Sequence, residues 1–324
     1  MWLHRFSVFL SASTVLLILA GGLVTSTDSG LSVPDWPTSY GWSMFAFPLD
    51  KMVGGIFYEH GHRLIASTVG MLTIALAVWL WFAERRAWLR RLGVAALAAV
   101  IAQGLLGGVT VLFFLPAPIS VAHAGLAQIF FSLTVAIALF TSRGWRAAPA
   151  RPPVDDPLLR RIATTTTAVI YVQILVGATM RHTGSGLAIP DFPLVFGGVL
   201  PPVWSAGIAV HYAHRLGALV VLAAILTAAS HVRRHHGTRR ELRTPATLAV
   251  LLALLQISFG GLTVLSRRAI AINTVHVVIG ALLLATGLVL MLRSWRVRFA
   301  SEPAPAPSHQ PDVADRQSSI GAHA

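Results

Sequence analysis

Four histidines in matching surroundings are the residues of this sequence best suited to bind a metal ion. His62 and His214 are each followed by arginine, whereas His123 and His276 each lie near the start of another apolar segment. Cysteine is absent, which excludes thiolate metal sites and iron–sulfur clusters and leaves histidine as the main candidate ligand. Two imidazoles that face each other from different helices can hold a haem iron from both sides. The spacing predicts two such sites, formed by His62 with His123 and by His214 with His276.

A purely structural role is the alternative for each of these residues, because a single histidine in a membrane helix can simply hydrogen-bond a carbonyl group on a neighbouring helix. Four histidines at duplicated positions favour metal or haem ligation, since ionisable side chains at membrane depth are functional candidates by default. The other histidines in terminal and connecting segments are expected to be solvated: His4, His231, His235, His236, His309 and His323.

The residues three positions before the two His-Arg pairs differ in type. Glu59 precedes His62, and its counterpart before His214 is His211. Positions i and i+3 share one face of a helix, so Glu59 is predicted to face the same site as His62. A carboxylate there can take or give protons, which makes Glu59 the candidate catalytic residue.

Arg63 and Arg215 directly follow their histidines. They are predicted to bind haem propionates through charge-assisted hydrogen bonds, with His211 as a further neighbour of the second site. The alternative is that both arginines extend to the membrane interface and that Glu59 only neutralises Arg63 or Lys51.

The composition indicates that these residues lie on membrane-spanning helices. Hydrophobic residues make up 55% of the 324 residues and charged residues 11%, against about 45–50% and about 25% in soluble domains. Apolar runs of about 20 residues predict eight spans. They lie near 6–26, 60–82, 92–113, 121–141, 162–181, 207–230, 245–265 and 272–292.

The positive charges predict the orientation of these spans. With a cytoplasmic N-terminus, 19 of the 25 Lys and Arg residues fall in the terminal and connecting segments on the inner side. The positive-inside rule therefore predicts that both termini are cytoplasmic and that the four histidines lie toward the outer face. Because the net charge of +13 is explained by topology, no nucleic-acid partner is expected.

Two motifs occur twice at nearly the same separation. Gly-Leu-Ser-Val-Pro-Asp-Trp-Pro at 30–37 recurs as Gly-Leu-Ala-Ile-Pro-Asp-Phe-Pro at 186–193, and the segment 103–112 with its Gly-Gly pair recurs at 256–265. The histidines repeat at similar offsets, so we expect an all-α polytopic membrane protein whose eight helices form two tandem pseudo-symmetric four-helix bundles. The predicted division is an N-terminal half at 1–141, a cytoplasmic linker at 142–161, a C-terminal half at 162–293 and a disordered tail at 294–324.

With these motifs in this order, residues 1–295 resemble the haem A synthase family. The resemblance implies oxidation of a ring methyl of haem O to a formyl group through an alcohol, which makes haem A for terminal oxidases. It also implies haem b as the cofactor on His214 and His276, and haem O as the substrate between His62 and His123 beside Glu59. Many relatives carry a cysteine pair in the outer loops, which this chain lacks.

The expected setting is the cell membrane, with the lipid bilayer and haem O as direct partners. Haem O synthase and cytochrome oxidase assembly factors are candidate protein partners, a homo-oligomer is a candidate assembly, and the electron acceptor is left open. The alternative function is a dihaem b-type subunit for electron transfer or quinol oxidation, although all four histidines here are predicted at one depth. A transporter built from repeats is disfavoured because few charged residues lie within the spans.

Overall fold

The computed structural model describes residues 1–146 and 155–296, which contain eight long helices and one short one. The helices are α1 (Trp2–Ser26), α2 (Gly55–Ala83), α3 (Ala87–Leu112), α4 (Ala117–Thr141), α5 (Arg143–Arg146), α6 (Pro157–His182), α7 (Ala206–His236), α8 (Arg240–Leu265) and α9 (Ile270–Ser294). All except α5 are long and apolar enough to cross a membrane, so the chain is a multi-pass membrane protein. The predicted all-α class with eight spans is confirmed.

The helices begin one to five residues before the predicted starts, and in α1, α2, α3, α6 and α8 the added residues include charged side chains. In α6, Asp156 caps the helix by accepting a hydrogen bond from the backbone N–H of Leu159 at 2.9 Å, and Pro157 follows at the first position. Residues 157–161, assigned to the linker from the sequence, are therefore helical. Residues 147–154 of that linker and 297–324 of the predicted tail lie outside the described residues.

The long helices form two groups of four. In each group every helix packs against the next one in sequence and the first packs against the last, which gives closed rings of α1 to α4 and of α6 to α9. Leu10, Leu76 and Phe130 lie in the core of the first ring, and Ile170, Ile225 and Leu284 lie in the core of the second. The reading of these rings as tandem repeats remains a prediction.

Helices α1 and α4 of the first ring join it to α6 and α9 of the second. Ser26 at the end of α1 accepts hydrogen bonds from Asn273 (3.2 Å) and Thr274 (3.0 Å) near the start of α9. Arg181 of α6 donates to the Ser26 hydroxyl at 2.8 Å and to the Gly22 carbonyl at 2.9 Å. These contacts lie at the end of the molecule where the four candidate histidines are found.

Two loops, which follow α1 and α6, have closely similar structures. The Asp35 carboxylate accepts backbone hydrogen bonds from Tyr40 (2.7 Å) and Gly41 (2.9 Å), and Asp191 makes the same bonds with the residues at 196 and 197. Gly41 has a φ of +76°, in the left-handed region that favours glycine, and the same is true of Gly197 at +77°. Each duplicated loop motif thus forms a compact turn closed by its aspartate.

Candidate functional site

The four candidate histidines lie at one end of the two rings, within the first three turns of their helices. His62 and His123 come from α2 and α4 and are close enough to interact electrostatically. His214 of α7 and His276 of α9 face each other more clearly, with ring centroids 6.5 Å apart and planes at 72°. Imidazoles on opposite sides of one metal ion, each at a bond length of about 2 Å, have ring centres separated by a distance of this order.

Each of these histidine rings packs against a glycine on the preceding helix. A Cβ atom added to the glycine would lie about 3 Å from Cε1 of the ring, so any larger residue would press against the imidazole. The distances are 3.1 Å for Gly21 with His62, 3.0 Å for Gly107 with His123, 2.8 Å for Gly177 with His214 and 3.2 Å for Gly260 with His276. The sequence motifs did not identify this contact as a feature of the site, although the glycines repeat at the same offsets as the motifs.

Glutamines from neighbouring helices contact three of the four histidines. Nε2 of Gln173 lies 3.0 Å from Nδ1 of His214 and donates to the backbone carbonyl of that residue at 2.7 Å. Gln103 lies 3.3 Å from Nε2 of His123, and Gln256 lies 3.3 Å from Nε2 of His276. Sequence reasoning missed these partners, although Gln103 and Gln256 open the two copies of the duplicated segment.

His62 differs from the other three histidines. The residue at the position that corresponds to Gln173 in the first half is Leu17, which has no side-chain hydrogen-bonding group. A glutamine therefore orients both histidines of the second site but only His123 in the first.

The ring nitrogens are suited to a metal bond. In the part of the chain that the structure describes, the Nδ1 atoms of His62, His123 and His276 are buried and have no hydrogen-bond partner. Buried polar atoms are nearly always paired, so an unpaired ring nitrogen in each site calls for a further ligand. An iron ion would supply such a ligand, so the donor set fits a haem iron that is held by histidines.

Glu59 lies one turn from His62 and is turned toward the loop that follows α1. Its Oε1 accepts a hydrogen bond from Arg63 at 2.7 Å, and its Oε2 accepts one from the backbone N–H of Val33, also at 2.7 Å. Arg63 donates in addition to the carbonyls of Val33 (2.8 Å) and Asp35 (2.7 Å). The pair is buried, with 8% exposure for Arg63 and 5% for Glu59, so the carboxylate and guanidinium anchor the loop above the site.

His211 and Arg215 have the same position beneath the second loop. The backbone N–H of Ile189 donates to Nδ1 of His211 at 3.3 Å, and Arg215 donates to the carbonyls of Ile189 (3.2 Å), Asp191 (2.6 Å) and Leu194 (2.7 Å). Within residues 1–146 and 155–296, Nε of Arg215 is buried without a partner. Both arginines thus bind loop carbonyls, and Arg215 keeps one free donor.

The loops contact the helices beside the histidines. A Cβ atom on Gly108 would lie 2.4 Å from the Trp36 ring, and one on Gly261 would lie 2.5 Å from the Phe192 ring. Because these glycines adjoin Gly107 and Gly260, the loop aromatics pack one residue away from the histidine contacts.

The loop aspartates are ionised. Partial burial acts to raise the pKa of Asp35, but hydrogen bonds from Gly41, Thr38 and Tyr40 lower it from 3.8 to about 2. Hydrogen bonds from the backbone N–H groups of Gly197 and Phe196 likewise lower the pKa of Asp191. Each loop is therefore closed by a carboxylate that stays charged over the physiological pH range.

Among the remaining histidines, the expectation of a solvated role is wrong for His231 and His236. Both donate to the carboxylate of Asp156 at 2.8 Å and are mostly buried. This contact joins residues more than 70 positions apart, which is why no local sequence pattern indicated it. His4 lies 3.0 Å from the Ala138 carbonyl, and His309 and His323 are outside the described residues.

Comparison with known proteins shows the family of this chain. The sequence matches the COX15-CtaA family, described as cytochrome oxidase assembly protein, over residues 4–288. A heme A synthase of Shouchella clausii is 30% identical over 82% of this chain and 88% of its own length. Heme A synthases of Symbiobacterium thermophilum and Halalkalibacterium halodurans are 30% and 29% identical over 85% and 88% of this chain, and over 89% and 95% of their own lengths. The chain, with its eight helices and paired histidines, therefore belongs to the COX15-CtaA family of cytochrome oxidase assembly proteins.

Proposed function

We propose that this protein is a haem A synthase, an oxidoreductase that converts a ring methyl of haem O to a formyl group through an alcohol. The observation that carries the proposal is the presence of two histidine pairs at one end of the molecule, in a chain similar to proteins named heme A synthase. Two sites are needed because one haem is the substrate that is oxidised, whereas the other transfers electrons.

We assign haem b to His214 and His276, and substrate haem O to His62 and His123. The glutamine contacts support this assignment. Both histidines of the second site are oriented by a glutamine, which suits a permanently bound group, because hydrogen-bonded partners fix the orientation of metal ligands. His62 has no such glutamine, which suits a ligand that must release its product. When bound, haem b supplies reversible one-electron chemistry.

Glu59 is proposed to accept a proton released as the substrate methyl group is oxidised. A carboxylate has about four acceptor positions, and the bonds from Arg63 and Val33 leave acceptor capacity on both oxygens of Glu59. Arg63 forms an ion pair with the carboxylate and holds it in place, and its bonds to the loop carbonyls fix the loop on that side. The second site has His211 here, whose Nδ1 accepts a hydrogen bond from the backbone N–H of Ile189.

The arginines are proposed to hold the loops over the two haem sites. The unpaired Nε of Arg215 leaves this guanidinium one donor for a haem propionate. The nitrogens of Arg63 already donate to loop carbonyls, so a propionate would have to compete with those carbonyls. The main role proposed for Arg63 is therefore to hold the loop and Glu59.

The charge distribution supports a location in the cell membrane with both termini cytoplasmic and both haem sites toward the outer face. The outer ends of the helices carry few positive charges, while the connecting segments at the opposite end are rich in arginine. Haem O would reach the first site from the bilayer, and haem O synthase and oxidase assembly factors are the partners consistent with this route.

The test is production of the full chain together with a haem O synthase in a host that makes no haem A, followed by pigment extraction. Haem A or its alcohol precursor is expected, together with haem b. The His62→Ala and His123→Ala variants should retain haem b and make no haem A, whereas His214→Ala and His276→Ala should lose haem b. Haem b as the sole pigment, lost equally in all four variants, would instead identify a dihaem electron carrier.

A further inference from the structure

A second group of potential metal ligands lies at the opposite end of the C-terminal ring from the haem histidines. Asp156 caps the start of α6, and His231 and His236 lie in the last two turns of α7. The Nε2 atoms of both histidines are 2.8 Å from the same oxygen, Oδ2 of Asp156. The three ligand atoms all lie within 4.8 Å of one another.

We propose that Asp156, His231 and His236 bind a divalent transition-metal ion, with Zn²⁺ as the representative ion. Two imidazole nitrogens and one carboxylate oxygen form a ligand set typical of zinc sites with three protein ligands. Such sites complete their coordination with water. Ca²⁺ and Mg²⁺ are disfavoured because they prefer oxygen ligands, and two of the three donors here are nitrogen atoms.

The ligands are already held close to a binding geometry. The second oxygen of Asp156, Oδ1, accepts a hydrogen bond from the backbone N–H of Leu159 at 2.9 Å, which fixes the orientation of the carboxylate. The side chains of Asp156, His231 and His236 are 18%, 12% and 14% exposed, so the group is sheltered but remains within reach of water. Zinc would take the place of the two Nε2 protons that now bridge the histidines to the carboxylate, and each ring would then carry its proton on Nδ1 as a neutral imidazole.

Positive charge nearby opposes cation binding but does not prevent it. Arg233 and Arg234 are on the same turn as the histidines, and both are exposed. Exposed charges are screened by solvent and salt, whereas the Asp156 carboxylate is in direct contact with the ion. A metal ion at this position would connect the start of α6 to the end of α7 and so close the arginine-rich end of the C-terminal ring.

The experiment is equilibrium dialysis of the purified full-length protein against micromolar Zn²⁺, with a purification tag that contains no histidine. Zinc is measured by mass spectrometry, and haem is measured separately so that iron occupancy is known. About one zinc per chain is expected in the wild type. The His231→Ala/His236→Ala double variant should bind at least tenfold more weakly while its haem content stays unchanged.

Two further variants distinguish a metal site from a simple hydrogen-bonded cluster. Asp156→Asn keeps a side-chain oxygen that can cap α6 but removes the charge, so it should lower zinc affinity without unfolding the protein. His235→Ala removes a neighbouring exposed histidine, whose ring centroid is 4.6 Å from that of His231, and should leave zinc binding intact. Zinc binding by the wild type no stronger than that of the double variant, or equal loss in His235→Ala, would overturn the proposal.

Discussion

Replacement of Gly177 by alanine should displace an iron ligand without unfolding the protein. The added Cβ atom would lie 2.8 Å from Cε1 and 3.3 Å from Nδ1 of His214. Ordinary contacts between carbon atoms are about 3.5–4.0 Å, so the imidazole has to move by on the order of 1 Å. Gln173 holds both the ring and the backbone of His214, which prevents the ring from turning away freely.

The magnitudes separate the effect on folding from the effect on the site. Overpacking a helix contact costs about 1–3 kcal/mol, while replacing glycine by alanine inside a helix contributes about 1 kcal/mol of stability. The net change in the free energy of unfolding is then about 0–2 kcal/mol, which a folded protein tolerates. Metal–nitrogen distances tolerate only about 0.2 Å, so a displacement of this size is expected to break or strongly weaken the bond from His214 to haem b.

The assay is the haem b content and the low-spin absorption and electron paramagnetic resonance spectra of the purified variant, beside its melting temperature. Gly61→Ala is the matched control, because Gly61 adjoins His62, yet no atom of the described chain lies within 4 Å of its added Cβ atom. Gly260→Ala should be intermediate, since its Cβ atom would lie 3.2 Å from His276. A Gly177→Ala protein with wild-type haem b content and spectra would refute the assignment of His214 as an iron ligand.

Three further outcomes are expected. Glu59→Gln should keep the loop contacts and bind haem O but make little haem A, whereas the control His211→Gln should stay active; near-normal haem A from Glu59→Gln would remove this carboxylate from the mechanism. Gln256→Leu should shift the midpoint potential of haem b in a redox titration while the haem is retained, and an unchanged potential would show that this glutamine does not tune His276. Because the pKa of Asp35 is lowered from 3.8 to about 2, its contribution to stability is present above pH 3.8 and is lost as the pH falls toward 2. The protection of the Tyr40 and Gly41 amides against hydrogen exchange, relative to the intrinsic exchange rate at each pH, should therefore fall on acidification, and this pH dependence should be absent in Asp35→Asn.

The sequence predicts the spans well because the physical signal is local. A run of apolar residues long enough to cross a bilayer is visible without knowledge of any contact, and each predicted span lies in a long helix. The starts were placed too late where charged residues fall in the first turn, as with Arg160 and Arg161 in α6. A span that is predicted from hydropathy ends at a charged residue, whereas a helix continues as long as its backbone hydrogen bonds can be made.

The partners of the candidate site residues were harder to predict, because they come from other elements. The spacing of Glu59 and His62 indicates a shared helix face, but it does not show that the backbone N–H of Val33 donates a hydrogen bond to one oxygen of the Glu59 carboxylate. Likewise, the contact of His231 and His236 with Asp156 depends on how α6 and α7 pack. The glycines beneath the histidines could have been found, since Gly21 and Gly177 are 156 residues apart, as are the loop motifs.

The difference between Glu59 and His211 cannot be explained by the anchoring of the loops. Both side chains accept a hydrogen bond from the equivalent backbone N–H, of Val33 in one half and Ile189 in the other, so a neutral imidazole is sufficient for this task. What the carboxylate adds is charge: both loops contain an ionised aspartate, but only the first half adds a second carboxylate, which forms an ion pair with Arg63. The group of charges beside the second site is therefore more positive by the charge of one carboxylate, which would favour an iron that gains an electron there. Under the proposed assignment, this asymmetry favours movement of electrons from the substrate toward haem b.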